Sequence, residues 1–256
     1  MLFSEFDFHP KIAAGIQTCG YTQPTPIQEQ AIPHALIGGD VMGLAQTGTG
    51  KTAAFALPIL ERLLGSRRGH PRSLILAPTR ELAEQTFEFM LPFCRKTGLR
   101  AVTVYGGVSK PAQAAKIRSG VDIIVACPGR LLDLVNDRAV NLSRIQSLVL
   151  DEGDRMLDMG FMPDIRRILQ QLPDQRQNML FSATMPADIR HLAEEILHDP
   201  AWIQIDHEQP LENITQCLYP VKRLPKAEML LALLGQKKDE ATLVFTRTKH
   251  MATKLA

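Results

Sequence analysis

Ala45-Gln-Thr-Gly-Thr-Gly-Lys-Thr52 is a short turn of small residues closed by a lysine and a hydroxyl. It fits the pattern G-x-x-x-x-G-K-[ST] at every fixed position but the first, where Ala45 stands for glycine. Backbone N–H groups of such a turn face inward onto phosphate oxygens, and the helix that follows adds the partial positive charge of its N-terminus. Ala45, Gln46, Thr47, Gly48, Thr49 and Gly50 form the wrap. Lys51 reaches the β- and γ-phosphates, and Thr52 ligates Mg²⁺. The bland alternative is a turn that happens to hold a lysine. The flanks decide between them: an apolar run, Val41–Ala45, leads in, and a helix-compatible stretch, Thr52–Leu64, leads out.

The same alternation extends outward. Ser73–Ala77, Ala101–Tyr105, Val121–Ala126, Ser147–Asp151, Met179–Ser182 and Trp202–Ile205 are further short apolar runs. They are continuous, as in strands buried on both faces of a parallel sheet. Between them lie the helix-compatible segments Glu81–Lys96, Pro111–Ser119, Arg130–Asn136, Asp164–Gln171 and Asp188–Leu197. The pattern predicts an open α/β sheet, with its ligand beyond the C-terminal strand ends.

Composition narrows the class. The chain has 256 residues, 45% hydrophobic and 22% charged, which argues against long disorder. No uncharged apolar run approaches the roughly 18 residues of a spanning helix, so no membrane partner is expected. The acidic start, Met1-Leu-Phe-Ser-Glu-Phe-Asp7, does not read as a secretory signal. Cys19, Cys94, Cys127 and Cys217 lie far apart, which speaks against zinc or a disulfide framework and for a reducing cytoplasm. A net charge of +2 neither announces nor excludes nucleic acid. The basic run Arg67-Arg-Gly-His-Pro-Arg72 is expected to be a solvated loop.

Leu148-Val-Leu-Asp-Glu-Gly-Asp154 is an apolar strand that ends in carboxylates. Asp151 at its tip is placed to hold Mg²⁺, and Glu152 to orient and deprotonate an attacking water. Alone, the cluster could equally cap a turn. Beside the Lys51–Thr52 cradle it points to an ATPase or GTPase.

The polar stretch His207-Glu-Gln-Pro-Leu211 reads as a linker. Beyond it the pattern predicts a strand at Ile214–Pro220, a helix at Lys226–Leu234, a strand at Thr242–Thr246 and the start of another helix. A tail of about 45 residues is too small for a second α/β domain. The expected organisation is therefore a domain over 1–207, then a linker and the truncated start of a second domain over 208–256.

Spaced in order along the chain are Gly20-Tyr-Thr-Gln-Pro-Thr-Pro-Ile-Gln28, the cradle, Pro78-Thr-Arg-Glu-Leu-Ala-Glu-Gln85, Gly106-Gly107, Pro128-Gly-Arg130, Asp151-Glu-Gly-Asp154, Ser182-Ala-Thr184 and Leu243-Val-Phe-Thr-Arg-Thr-Lys249. This set resembles the DEAD-box ATP-dependent RNA helicases, in particular their bacterial members, over essentially the whole chain. The resemblance implies a RecA-like P-loop NTPase domain with a parallel sheet flanked by helices, followed by the start of a second RecA-like domain. It implies ATP as substrate, Mg²⁺ as cofactor and RNA as partner, bound through its backbone without sequence preference. Gln28 would read the adenine edge, Tyr21 would stack on the base, and Phe3 would support that pocket. Lys51, Asp151 and Glu152 would carry catalysis, with Thr52 and Asp151 on the metal. Asp154, Ser182 and Thr184 would link the nucleotide site to the RNA side. Arg80, Gly106, Gly107, Gly129 and Arg130 would touch RNA phosphates and sugars.

Two positions depart from the family's pattern: Gly153 replaces an alanine, and Cys127 replaces a threonine. The second-domain motifs that would bring arginines to the γ-phosphate are also missing, so the chain is expected to be weakly active alone. Rival readings are a P-loop ATPase that moves another polymer, and a binding clamp that no longer turns over. The sequence does not indicate protein partners.

Overall fold

In the computed structural model, residues 1–65, 69–205, 215, 217–221, 226–235 and 241–255 are described. The chain divides into two compact units, Met1–Asp206 and His207–Ala256. The larger unit opens with a 3-10 turn, Phe3–Phe6, and two helices, α1 (Pro10–Thr18) and α2 (Pro26–Leu36). Strands and helices then alternate through β1 (Val41–Leu44), α3 (Lys51–Leu64), β2 (Ser73–Leu76), α4 (Arg80–Thr97), β3 (Ala101–Val104) and α5 (Lys110–Arg118). They continue through β4 (Ile123–Ala126), α6 (Pro128–Asn136), β5 (Ser147–Leu150), α7 (Gly153–Asp158), α8 (Met162–Leu169), β6 (Gln177–Ser182), α9 (Ala187–Ile196) and β7 (Ala201–Gln204).

The strands form one seven-stranded sheet in the order β3-β4-β2-β5-β6-β1-β7. Every pairing is parallel. All seven strands expected before residue 207 are present, and the reason lies in how they are buried. Ile75, Ile123 and Val125 face a core shared with Ile12, Ile27, Phe55 and Phe93, from α1 to α4. Leu74, Leu76, Ile124 and Ala126 face the opposite core, shared with Ile117, Leu131, Met156, Ile165 and Leu192, from α5 to α9. With neighbours above and below, the inner strands β2, β4 and β5 are buried at every residue and read as apolar runs, whereas the edge strands β3 and β7 are buried only in part.

Parallel strands put all their C-terminal ends on one edge. Residues 45–52, 77–80, 105–107, 127–130, 151–154 and 183–184 follow six of the strands along it. The opposite edge is closed by a buried ion pair. Arg72 was expected in a solvated loop, but it is fully buried and pairs with Asp122 at 2.5 Å. Its guanidinium also donates to the Leu63 carbonyl at 2.9 Å, and the other oxygen of Asp122 accepts from the Arg100 amide at 2.9 Å. These bonds satisfy charges that water would otherwise have to reach. Arg67 and Arg68, in the same run, lie outside the described residues.

The smaller unit holds two helices among its described residues, α10 (Lys226–Gly235) and α11 (Lys249–Leu255). The helix expected at Lys226–Leu234 is therefore present. The strand expected at Thr242–Thr246 is not: the segment pairs with no ladder, and Leu243 and Phe245 are 80% and 88% exposed. A strand needs a neighbouring strand for its N–H and C=O groups, and no ladder forms among the described residues of this unit. For the strand expected at Ile214–Pro220, Ile214 and Gln216 lie outside the described residues, and the rest of that stretch forms no strand.

Candidate functional site

The cradle hangs from the sheet at its first residue. Ala45, only 1% exposed, donates its N–H to the Ser182 carbonyl at 3.0 Å and so extends the β1–β6 ladder. Ala45 has no positive φ, so its backbone does not require the glycine of the usual pattern. The turn is pinned by Thr49 Oγ1, which donates to the Gln46 carbonyl at 2.7 Å. Gly50 is required twice. Its φ is 93°, and a Cβ there would stand 2.3 Å from Gln28 Nε2. α3 starts at the next residue. Lys51, 6% exposed, donates from Nζ to the Ala45 carbonyl at 2.9 Å.

Gln28 sits in the first turn of α2. Its Oε1 accepts from the Thr25 amide at 3.0 Å, and its Nε2 donates to the Gly50 carbonyl at 3.0 Å. An amide has two donor and two acceptor positions, so one of each remains for a ligand edge. Tyr21 lies beside it on the cleft wall, backed by Phe3 and Phe89 with ring centroids 5.9 and 6.1 Å away.

Two strands from β1 in the sheet, β5 delivers the carboxylates. The Asp151 amide donates to the Leu76 carbonyl at 2.9 Å, which fixes the residue as a continuation of the strand. Its Oδ1 is buried with no hydrogen-bond partner among the described residues. Burial raises its pKa to about 6; Glu152 adds to the shift, while the Lys51 ammonium and the Glu152 amide oppose it. A buried carboxylate with an unmatched oxygen, facing a threonine-lined phosphate cradle, fits Mg²⁺, which takes one or two carboxylates and completes its shell with phosphates and water.

Glu152 is 7% exposed and adopts the left-handed conformation, φ 53° and ψ 55°, a strain of about 1–3 kcal/mol for a side-chain-bearing residue. Its two oxygens accept from Thr47 Oγ1 at 3.3 Å and Arg155 Nη1 at 3.2 Å. Gly153 opens α7. A Cβ in its place would sit 3.0 Å from Leu180 Cδ1, so the family's alanine would need a small shift of that side chain.

These groups line one cleft of about 530 Å³. Tyr21, Gln28, Thr47, Gly48, Gly50, Lys51, Thr52, Asp151 and Glu152 all border it. Phe3, Ala45, Gln46 and Thr49 are not among its lining residues. Sequence reading missed the far wall, Leu82, Gln85, Thr86 and Phe89 on α4. Their i, i+3, i+4, i+7 spacing marks one helix face, half apolar and half polar, and the spacing alone does not say that it borders a cleft.

Asp154, Ser182 and Thr184 form one cluster. Asp154 Oδ2 accepts from the Thr184 amide at 2.9 Å and its hydroxyl at 2.8 Å, while the Asp154 amide donates to Ser182 Oγ at 3.1 Å. Burial works against the Asp154 charge, but these hydroxyls, with the amides of Thr184 and Arg155, outweigh it and hold the carboxyl below its ordinary range.

The remaining predicted residues follow β2, β3 and β4, which are neighbours in the sheet. Arg80 is exposed at the start of α4, with its guanidinium 4.9 Å from the Tyr105 ring centre. Gly106 and Gly107 are exposed after β3. Gly129 and Arg130 lie in the first turn of α6, and Arg130 Nη1 donates to the Val108 carbonyl at 2.8 Å, tying this turn to the glycine turn. Cys127, at the N-cap of α6, makes no side-chain cap hydrogen bond, and burial raises its thiol pKa to about 11.

A cradle after β1, carboxylates after β5 and a parallel sheet with helices on both faces define a RecA-like P-loop domain. The chain belongs to the DEAD/DEAH box helicase family, whose model matches residues 25–192. It is 42% identical over its full length to the DEAD-box ATP-dependent RNA helicase CshA of Streptococcus pneumoniae, and covers 49% of that protein. It is also 42% identical over its full length to the ATP-dependent RNA helicase RhlB of Xanthomonas campestris, covering 46%. The crystal structure of a hypothetical ATP-dependent RNA helicase from Sulfolobus tokodaii superposes with a TM-score of 0.70 at 38% identity, covering 76% of this chain and 56% of that one. The chain spans about half the length of the curated relatives it matches.

Proposed function

We propose that the chain is the ATP-binding half of an ATP-dependent RNA helicase, an RNA-dependent ATPase that unwinds or remodels RNA locally. The observation that carries this reading is the cleft, where Lys51, Thr52, Asp151 and Glu152 converge on the space in front of a helix N-terminus. The Gly48–Gly50 backbone and Lys51 bind the phosphates, and Lys51 leaves the Ala45 carbonyl to do so. Gln28 offers its spare donor and acceptor to the adenine edge, and Tyr21 covers the base. Thr52 and Asp151 hold Mg²⁺, which when bound supplies positive charge to the β- and γ-phosphates. Glu152 accepts a proton from the attacking water, once its bonds to Thr47 and Arg155 rearrange.

Arg80, Gly106, Gly107, Gly129 and Arg130 take the RNA backbone along the neighbouring edge, where exposed turns and two arginines suit phosphates rather than bases. Asp154, Ser182 and Thr184 couple the two. Residues 1–207 form the ATP-binding domain, and residues 208–256 the linker and start of the second. Lys51 is the cation among the described residues lining the cleft, so hydrolysis by this chain alone is slow. An arginine at the transferring phosphate is worth about 10³–10⁵ in rate in related chemistry. Cys94, buried, and Cys127, half-buried, are free thiols that suit a reducing cytoplasm. Among the described residues no helix is long and apolar enough to cross a membrane.

The test is Mg²⁺-dependent ATP hydrolysis by the chain, with and without single-stranded RNA, beside its affinities for ADP and GDP. Tight ADP binding, weak GDP binding and slow turnover support the reading. Equal affinity for the two nucleotides, or none for either, overturns it.

A further inference from the structure

Arg80 and Glu84 stand four residues apart on α4, the spacing at which an arginine and a carboxylate pair across one helical turn. Arg80 makes no ion pair among the described residues, and Tyr105 engages both side chains. The tyrosine ring lies against the Arg80 guanidinium, and its hydroxyl donates to Glu84 Oε1. The same oxygen accepts from Thr103 Oγ1 at 3.2 Å. Tyr105 is in turn fixed from behind. Its amide donates to Gln113 Oε1 at 3.0 Å, and its carbonyl accepts from Gln113 Nε2 at 3.2 Å. Gln113 is a buried side chain of α5 that spends both ends of its amide on this one residue. The exposed Gly106–Gly107 turn follows directly.

We infer that Tyr105 is a positioning residue for the RNA edge: its ring carries Arg80, its hydroxyl keeps Glu84 occupied, and Gln113 sets where the ring and the glycine turn stand. The inference rests on the proposed contact between Arg80 and an RNA phosphate. A guanidinium stacked on a ring keeps its in-plane N–H donors, so the stacking orients Arg80 without consuming the groups that grip phosphate. The Tyr105 hydroxyl stays a donor: its bond to Glu84, then burial, raise the phenol pKa. Without it, Glu84 turns to Arg80 and neutralises the charge meant for the nucleic acid.

The experiment measures binding of a fluorescein-labelled oligouridylate to the full chain by anisotropy across salt concentrations, with ADP affinity of each variant as the folding control. Arg80→Ala is expected to weaken RNA about tenfold and to lower the salt slope by about one. Tyr105→Leu is expected to weaken it about fivefold with the same loss of slope. Tyr105→Phe keeps the ring and is expected to lose about twofold, and Glu84→Gln in that background restores wild-type affinity. A purely structural role predicts no rescue by Glu84→Gln. If Arg80→Ala weakens RNA while Tyr105→Leu binds like wild type, or if the rescue fails, the positioning role is overturned and the RNA edge stands. If Arg80→Ala binds like wild type, the RNA reading of that edge falls, and this inference with it.

Discussion

The cradle side of the C-terminal edge and its β2–β3–β4 side are built on opposite principles. Around the cleft Gln28, Lys51, Asp151 and Glu152 are buried, and most of its polar groups are already bonded within the protein: Lys51 to Ala45, Gln28 to Gly50, Thr47 to Glu152. Along the other side Arg80, Gly106 and Gly107 are exposed, and the bonds lie one layer behind, in Gln113, Tyr105 and Glu84. A ligand of the cleft exchanges internal bonds for its own, so geometry sets the outcome and single substitutions cost much. A ligand of the exposed side displaces only water and salt, so each contact is worth little and several are needed.

The largest expected effect is at Glu152. In any protein containing this chain, Glu152→Gln should retain ATP binding while slowing single-turnover hydrolysis by about 10²–10⁴. Unchanged turnover would assign the base elsewhere. Lys51→Ala should instead fail at binding, with ADP affinity down by about 10–100-fold; an unaltered affinity would mean that the cradle holds phosphate through its backbone alone.

Asp151 tests the cost of burial on the cleft side. Its folded pKa of about 6 lies above the ordinary 3.8, so the folded chain holds a proton that the unfolded chain has released between those values. Stability of the ligand-free chain should therefore fall as pH rises from about 4 to about 6. Asp151→Asn should abolish that fall and raise stability at neutral pH by on the order of 2 kcal/mol. The Mg²⁺-dependent part of ADP affinity should weaken as pH drops below about 6. Melting curves and titrations against pH read both, and a variant no more stable than wild type would remove the buried charge from the account.

Gln28 should couple the two costs. Gln28→Ala should erase the preference for ADP over GDP and also lower stability by about 1–2 kcal/mol, since the Thr25 amide and Gly50 carbonyl lose their partner. Loss of selectivity with no loss of stability would mean that those internal bonds contribute nothing. The smallest effect belongs to the exposed side. Cys127→Thr supplies the missing cap of α6 and should stabilise the chain by about 0.5–1 kcal/mol, read as a rise in the melting midpoint. A midpoint that falls would show that the thiol is needed where it packs.

The same contrast governs what could be read in advance. Strands buried on both faces announce themselves, which is why Val41, Ser73 and Ser147 each begin a run that became a strand. The cradle and carboxylates were legible because their chemistry demands particular residues at fixed spacing. The Leu82–Phe89 wall was not, since the spacing of a helix face does not say what that face borders. α7 is six residues long, too short to show a period. Arg72 sat in a basic run whose charges looked alike, and only the fold could bring Asp122 to it, fifty residues away. Leu243 and Phe245 had the right composition for a strand, but composition cannot supply a neighbour.

Lys51 resting on the Ala45 carbonyl has a consequence for which molecules gain entry. An unoccupied phosphate site that left its lysine bare would collect whatever small anion the cell holds in excess. Here one of the ammonium's three donors is already held by the Ala45 carbonyl, and a lone phosphate has few other contacts in the cleft. In the proposed function a nucleotide would bring a base to Tyr21 and Gln28 and a chain of phosphates to the turn, and so engage many contacts together. On the proposed reading, the lysine then favours ligands that engage many contacts at once over those that offer charge alone.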